Sequence, residues 1–139
     1  MPEMYRDIES TMLKANNNHF GFEGMRLTEP GQFTHYPAGG FYDWHQDASG
    51  QNSHGESRKL SLTFSLTDSD AYEGCNLEFF EGNKSMEDMK LSDGTIISAE
   101  QIKQDIRDQG SDIIFDSRDT HRVTTVSYTH LTMPNILIV

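Results

Sequence analysis

A regular alternation of apolar and small hydroxyl side chains marks residues 58–67, RKLSLTFSLT. Successive side chains of a β-strand point to opposite faces, so the pattern predicts a strand with two unlike environments. We expect the apolar face to pack beneath a helix and the hydroxyl face to line a polar cavity. Ser and Thr residues that simply face water are the alternative. The apolar face carries Leu60, Leu62, Phe64 and Leu66, and the hydroxyl face carries Ser61, Thr63 and Ser65.

Two other segments have the longer period of a helix. Apolar residues recur at helical spacing within Pro2–Ala15, which predicts an amphipathic helix packed on the outside of a sheet. Asn16–Asn18 is expected to end it. A short helix is predicted near Ala99–Asp108, where Ser98–Gln101 resembles a capping box. This helix lies in the polar insertion Glu81–Gly110 and would decorate the surface, with a lid over the site as the alternative.

Most of the remaining chain consists of short β-rich runs separated by turns. Strands are expected at residues 20–27, 32–36, 41–46, 76–80, 111–115 and 123–126, and a turn at residues 68–74. Asp47–Ser57 is polar and reads as a loop, in which His54 is either an exposed residue or a substrate contact. Many short strands of this kind predict a closed, mainly β architecture with one or two peripheral helices.

Length and composition bound the classes of function. A chain of 139 residues predicts one domain. The formal net charge is −11 without any basic run, which disfavours nucleic acid and anionic membranes as partners and suits a cationic metal or a basic substrate. Cys75 is the sole cysteine, so no intrachain disulfide can form, as expected in a reducing compartment. No signal peptide or membrane span is recognisable, and a cytoplasmic location is predicted.

The segment FYDWHQD, residues 41–47, carries the first candidate metal ligands. His45 and Asp47 are two positions apart, so on an extended strand their side chains reach the same side. His121 follows far downstream in DTHRV. Two His and one carboxylate that leave coordination positions open form the facial triad typical of non-haem Fe(II) oxygenases. A His-x-Asp tripeptide also occurs by chance as a polar strand end before a turn, and the flanking sequence decides between the two interpretations.

From about Gly31 to Val126 the chain resembles the Fe(II)/2-oxoglutarate-dependent dioxygenases, most closely the prolyl 4-hydroxylase-like branch with phage and bacterial members. Five segments resemble family motifs in the family's order. They are YPAGGFY with WHQD at 36–47, RKLSLTFSL at 58–66, YEGCNL at 72–77, GSDIIF at 110–115 and HRVT at 121–124. Cys75 stands where the family pattern has a second Gly.

The resemblance implies a double-stranded β-helix, or jelly roll, in which Fe(II) is held by His45, Asp47 and His121. It further implies 2-oxoglutarate as a cosubstrate that chelates the iron, O2 in the last position, and ascorbate as a further cofactor. Tyr36 matches a family tyrosine that hydrogen-bonds 2-oxoglutarate, although it also reads as an aromatic residue at the edge of the core. Thr63 is expected on the cavity face and would contribute to the same site.

The C-terminal part departs from the family pattern. The family has an Arg or Lys about ten residues after the distal His, where the cation pairs with the far carboxylate of 2-oxoglutarate. Here Leu131 holds that position, and no Arg or Lys follows Arg122. Lys59 is the best replacement, because it shares the alternation phase of Ser61 and Thr63, whereas Arg122 should point away from its neighbouring ligand.

The tail itself raises two hypotheses. VSYTHLTMP, residues 126–134, resembles the peptide translated from a common sequencing-library adapter. On the first hypothesis this tail is foreign, and the single domain at residues 1–139 is truncated before its closing strand and its cation. On the second the tail is native, Asn135–Val139 forms a final apolar strand, and another cation binds 2-oxoglutarate.

Three functions follow from these observations. The first is a hydroxylase that acts on a peptidyl or small-molecule C–H with O2 and 2-oxoglutarate, its specificity set by Ala48–Ser57 and Glu81–Gly110. The second is a non-catalytic, cupin-like barrel that binds a metal or small ligand, or an inactive fragment of the enzyme. The third is a structural module without a metal. The sequence does not indicate an oligomeric state.

Overall fold

The computed structural model describes residues 3–48, 50–51, 53–80, 89–129 and 134–138. It contains helices α1 (Glu3–Ala15) and α2 (Ala99–Asp105), a π-helical turn at Asn16–Phe20 and a 3-10 turn at Ser69–Ala71. The strands are β1 (Gln32–His35), β2 (Tyr42–His45), β3 (Leu60–Ser65), β4 (Tyr72–Gly74), β5 (Leu77–Phe79), β6 (Met89–Lys90), β7 (Ile96–Ile97), β8 (Asp112–Asp116), β9 (His121–Val123), β10 (Val126–Thr129) and β11 (Pro134–Ile138).

Antiparallel pairing assembles these strands into small sheets. The largest sheet has the order β1-β11-β3-β8, and a three-stranded sheet has the order β2-β9-β5. Strand β10 pairs with β4, and β6 pairs with β7 in a hairpin that the sequence did not predict. Residues of the four-stranded sheet, the three-stranded sheet and β4 line one common cavity, so the strands surround an interior space.

The two faces of β3 have the predicted environments. Leu60 and Leu62 are buried in one cluster with Ile8 and Met12 of α1, which confirms that the apolar face packs beneath the N-terminal helix. Burying each such aliphatic side chain stabilises the fold by about 1.5–3 kcal/mol. On the other face Thr63 and Ser65 line the cavity. The alternation along β3 therefore places its apolar side chains in the core and hydroxyl side chains at the cavity.

The segment after α1 differs from the prediction. Helical backbone does not end at Asn16–Asn18 but continues to Phe20, and no strand forms within residues 20–27. The cause is Asn16, which is buried and whose amide both donates to the carbonyl of Phe22 at 2.7 Å and accepts from its N–H at 2.8 Å. Gly21 reverses the chain with φ of 75°. These contacts satisfy the backbone without a sheet.

The insertion differs from the prediction in a way that matters for the site. Helix α2 begins where expected, and the Ser98 hydroxyl accepts from the N–H of Gln101, as a capping residue does. Ile106 and Arg107, which directly follow α2, line the cavity. The prediction of a surface decoration is therefore wrong for this end of the insertion. Residues 81–88 lie outside the described part of the chain.

Other boundaries follow the predicted runs closely, except near residue 74. Residues 72–74, predicted as part of a turn, form β4, and the run 123–126 is divided between β9 and β10. The final strand expected for a native tail is present as β11, between β1 and β3. Within the described residues, neither helix has the length and apolarity that a membrane crossing requires.

Candidate metal centre

Strands β2 and β9 bring the two candidate histidines together. They pair antiparallel, and His45 lies directly across from His121 in the register. Asp47 follows β2 by two residues, and its N–H donates to the carbonyl of Ser117 at 2.9 Å, which holds the chain beside the turn that leads into β9. The sheet register thus joins residues that are far apart in the sequence.

The three side chains offer ligand atoms to one point. Oδ1 of Asp47 lies 3.3 Å from Nε2 of His45 and 3.4 Å from Nε2 of His121. One ligand atom from each residue lies within 4.8 Å of the other two. Asp47 and His121 are buried, and His45 is partly exposed. Among the described residues this is the one group of three or more such side chains with metal-binding spacing.

Backbone carbonyls fix the tautomers of both imidazoles. Nδ1 of His45 lies 2.7 Å from the carbonyl oxygen of Asp43, and Nδ1 of His121 lies 2.8 Å from that of Asp119. A carbonyl oxygen can only accept, so Nδ1 is the donor in each ring. In the neutral ring Nε2 then carries the lone pair, and it is Nε2 that faces Asp47. Outer hydrogen bonds of this kind orient imidazole ligands in metal sites.

A pair of buried serines holds the second oxygen of Asp47. The Ser61 hydroxyl donates to Oδ2 at 2.7 Å, and the Ser117 hydroxyl lies 2.9 Å from that of Ser61. Both serines are 0% exposed. Because the single proton of Ser61 goes to the carboxylate, Ser117 is the donor to Ser61. The network leaves Oδ1 of Asp47 directed toward the two imidazoles.

Charge pairing keeps Asp47 ionised despite its burial. Burial alone would raise the pKa of its carboxyl, but a hydrogen bond from the protonated form of His121, the hydrogen bond from Ser61 and the charge of the two nearby imidazoles outweigh it and hold the pKa below the ordinary value. Burial likewise opposes charge on His121, yet its hydrogen bonds with Asp47 and with the Asp119 carbonyl raise its pKa. A buried carboxylate ready to accept positive charge is what a cation site requires.

The triad opens into the central cavity, which has a volume of about 270 Å³. Tyr36 and Thr63, the predicted 2-oxoglutarate contacts, both line it together with all three triad residues. Burial raises the pKa of Tyr36 to about 12, with smaller contributions from Cys75 and nearby acidic groups. At neutral pH the phenol is protonated, as an ordinary tyrosine is, and can donate a hydrogen bond.

Lys59 is not among the residues that line this cavity. It precedes the first residue of β3, and its Nζ lies 5.9 Å from the ring centre of Phe22, on the side of the chain that follows α1. The alternation of β3 does not carry its side chain into the interior. His54 is exposed in its loop.

Sequence reasoning missed the two arginines that do line the cavity, Arg58 and Arg107. Arg58 begins the alternating segment, but its side chain turns toward Glu29. Arg107 lies in the insertion, where the local sequence gave no sign of a contact with the interior. The one indication in the sequence was its positive charge, in a chain where Leu131 holds the position at which the family pattern has Arg or Lys.

Residues 31–133 match the family model of the 2OG-Fe(II) oxygenase superfamily. A comparison with curated proteins found no match.

Two similar solved structures show the fold. A Pseudomonas putida prolyl-4-hydroxylase shares 19% identity with a TM-score of 0.54, and the match covers 97% of this chain and 61% of that one. The viral collagen prolyl hydroxylase of Paramecium Bursaria Chlorella virus-1, in its 2OG complex, shares 16% identity with a TM-score of 0.53, covering 99% and 73%. The chain thus spans less than two thirds of the bacterial protein. The predicted double-stranded β-helix is confirmed.

Proposed function

Because the chain belongs to the 2OG-Fe(II) oxygenase superfamily, we propose that it hydroxylates a C–H bond of a peptidyl or small-molecule substrate. In this proposal His45, Asp47 and His121 hold Fe(II), and the cavity beside them receives 2-oxoglutarate and O2. The observation that carries it is the convergence of two imidazole Nε2 atoms on one carboxylate oxygen at 3.3 and 3.4 Å.

The donor set fits Fe(II). Imidazole nitrogen and carboxylate oxygen are ligands that iron accepts, and two His with one carboxylate leave coordination positions open for a cosubstrate and O2. The Nε2 lone pairs are already directed at the shared point, because Nδ1 of each ring donates to a backbone carbonyl. Little reorganisation of the protein is needed to accept the ion, which favours binding.

When bound together, Fe(II), 2-oxoglutarate and O2 supply the oxidation: one oxygen atom enters the substrate as hydroxyl and the other enters succinate, with release of CO2. The protein's own residues position these groups. Ser61 and Ser117 fix the carboxylate of Asp47, as their short hydrogen bonds and complete burial indicate. Tyr36 and Thr63 line the cavity, and in this proposal their hydroxyl groups would donate hydrogen bonds to 2-oxoglutarate.

The assay is succinate formation from 2-oxoglutarate in the presence of Fe(II) and O2. Turnover should require both, and His45→Ala or Asp47→Ala should abolish it while the variants remain folded. A matched control is His19→Ala, since His19 is exposed in the π-helical turn and belongs neither to the triad nor to the loops assigned to specificity. Metal-dependent succinate formation that survives both ligand substitutions would refute the proposal.

One sequence observation favours a second function. Leu131 stands ten residues after His121, where the family pattern has Arg or Lys, and this substitution would suit a barrel that binds a metal without turning over 2-oxoglutarate. That function predicts that a divalent metal raises the melting temperature while no succinate appears at any 2-oxoglutarate concentration. Succinate release by the wild-type chain would exclude it.

A further inference from the structure

The cavity has to balance charge if it receives 2-oxoglutarate. One end of that molecule, the 2-oxoacid, chelates the metal, and the other end is a second carboxylate. A carboxylate taken from water into an enclosed site requires a cation or several hydrogen-bond donors. The described residues that line the cavity include two cations, Arg58 and Arg107. Their existing partners distinguish them.

Arg58 is already engaged. Its Nε donates to Oε2 of Glu29 at 3.0 Å, its Nη2 lies 2.9 Å from the same oxygen, and its Nη1 donates to the backbone carbonyl of Asp47 at 3.3 Å. The charge of this guanidinium is balanced by Glu29, and its remaining edge supports the segment that follows the metal strand. Binding a second carboxylate here would require breaking this ion pair.

Arg107 is held in a different way. Its Nη1 donates to the backbone carbonyl of Gly74 at 2.8 Å and to Oδ1 of Asn76 at 2.5 Å, and the guanidinium lies 4.5 Å from the ring centre of Tyr72. All three partners are neutral. Within the described part of the chain, no carboxylate lies within ion-pair distance of Arg107. A guanidinium has five N–H donors, and the contacts above use those of Nη1.

The register of β5 relates Arg107 to the metal centre. Phe79 lies across from His121, and Leu77 lies across from Val123. Asn76, which accepts a hydrogen bond from Arg107, directly precedes Leu77 and is therefore three residues from Phe79. Three residues of extended chain span about 10 Å along the strand. Arg107 is thus anchored along the cavity wall at a distance from the triad. A cation in that position suits a ligand that is chelated at one end and negatively charged at the other.

We propose that Arg107 binds the distal carboxylate of 2-oxoglutarate, the role that the sequence pattern leaves without a residue. The inference rests on the proposed function. The Ser65 hydroxyl donates to the carbonyl of Ile106 at 3.0 Å and ties the end of the insertion to β3. This hydrogen bond holds the residue next to Arg107 at the cavity. Specificity for a dicarboxylate over a monocarboxylate is then set by a residue outside the jelly-roll strands.

The test compares two oxoacids that differ only at the far end. Dissociation constants of 2-oxoglutarate and 2-oxovalerate, which has the same chain length without the distal carboxylate, are measured by calorimetry on the full chain loaded with Mn²⁺. The wild type should prefer 2-oxoglutarate by about 10- to 100-fold, as a charge-assisted hydrogen bond provides. Arg107→Gln should bring that ratio close to one by weakening 2-oxoglutarate alone, and Arg107→Lys should keep part of it. Arg6→Gln, an exposed arginine of α1, is the matched control and should keep the full ratio.

The ratio of the two dissociation constants is measured within each variant. A partly misfolded sample would weaken the binding of both oxoacids and would leave this ratio unchanged. An Arg107→Gln variant that keeps the wild-type ratio overturns the inference and leaves the proposed function intact if succinate is still formed. A wild type that binds both oxoacids equally also overturns it. A wild type that binds neither oxoacid in the presence of Mn²⁺ refutes the proposed function together with the inference.

Discussion

Substituting Ser61 with alanine tests whether the buried serine pair sets the geometry of the metal centre. The hydroxyl of Ser61 donates to Oδ2 of Asp47 at 2.7 Å, and both residues are buried. The alanine variant leaves Oδ2 without this donor and leaves the Ser117 hydroxyl without its acceptor. A hydrogen bond to a charged group contributes about 1.5–3 kcal/mol, so we expect the free energy of unfolding of the metal-free protein to fall by about that amount.

The same substitution should weaken metal binding. Without the Ser61 donor the carboxylate of Asp47 can rotate, and the loss of an outer hydrogen bond to a ligand typically reduces metal affinity 10- to 100-fold, roughly. We expect about a tenfold increase in the dissociation constant for Mn²⁺, measured by calorimetry, and a lower melting temperature without metal. Ser117→Ala should have a smaller effect on both quantities, because the Ser117 hydroxyl reaches Asp47 only through Ser61, and the backbone carbonyl of residue 117 still accepts from the N–H of Asp47.

Ser65→Ala is the matched control. Ser65 lies on the same strand and the same face, but its hydroxyl donates to the carbonyl of Ile106. We expect a loss of about 0.5–1.5 kcal/mol in stability, the contribution of a neutral hydrogen bond, with unchanged Mn²⁺ affinity. If Ser61→Ala and Ser65→Ala bind Mn²⁺ equally well, the serine pair does not position Asp47 and the reasoning is wrong.

Two further predictions concern single residues, and a third concerns the C-terminal tail. The pKa of Tyr36 is raised from 10.0 to about 12, so its contribution to stability is present below pH 10 and is lost as the pH rises to about 12. The difference in unfolding free energy between wild type and Tyr36→Phe should therefore shrink over that interval, by less than about 1.4 kcal/mol per pH unit. Equal pH dependence of the two proteins would contradict this. Gly74 has φ of 74°, and an added Cβ would lie 2.1 Å from the carbonyl oxygen of Thr125, whereas Gly55 has φ of 75° with nothing within 4 Å of an added Cβ. Urea unfolding should show that the free energy of unfolding falls by about 1–2 kcal/mol in Gly55→Ala and by more than about 4 kcal/mol in Gly74→Ala. Similar losses in the two variants would disprove the steric argument. If residues 126–134 derive from an adapter, resequencing the original gene should diverge at Val126, and an uninterrupted read into Ser127 and Tyr128 would reject that origin.

Much of the site could be predicted because it depends on the backbone's own periodicity. The alternation of β3 directs every second side chain to the interior, so Ser61 and Thr63 could be assigned to the cavity side from the sequence. The spacing of His45 and Asp47 works in the same way at the end of β2. The family resemblance supplied His121, which no local pattern connects to them.

Other features depend on contacts that no local pattern encodes. The helical turn that continues to Phe20 is stabilised by the amide of Asn16 on the backbone of Phe22, a contact that exists only after the chain has reversed. Arg107 enters the cavity because Gly74 and Asn76, more than thirty residues earlier in the sequence, accept its hydrogen bonds. Lys59 lies outside the lining of the cavity, because β3 begins one residue after it.

The backbone conformation at Cys75 agrees with what the resemblance indicated. It is buried and has a positive φ of 54°, a conformation that favours glycine. The resemblance gave glycine for this position, and the backbone here retains a shape that suits glycine.

The most direct test of the metal centre is the anomalous diffraction of crystals grown with Fe²⁺ under anaerobic conditions. The account predicts one strong anomalous peak bonded to Nε2 of His45, Nε2 of His121 and Oδ1 of Asp47, at the roughly 2.0–2.2 Å typical of divalent transition metals with nitrogen and oxygen ligands. A peak elsewhere, or no peak with these three side chains ordered and apart, would contradict it.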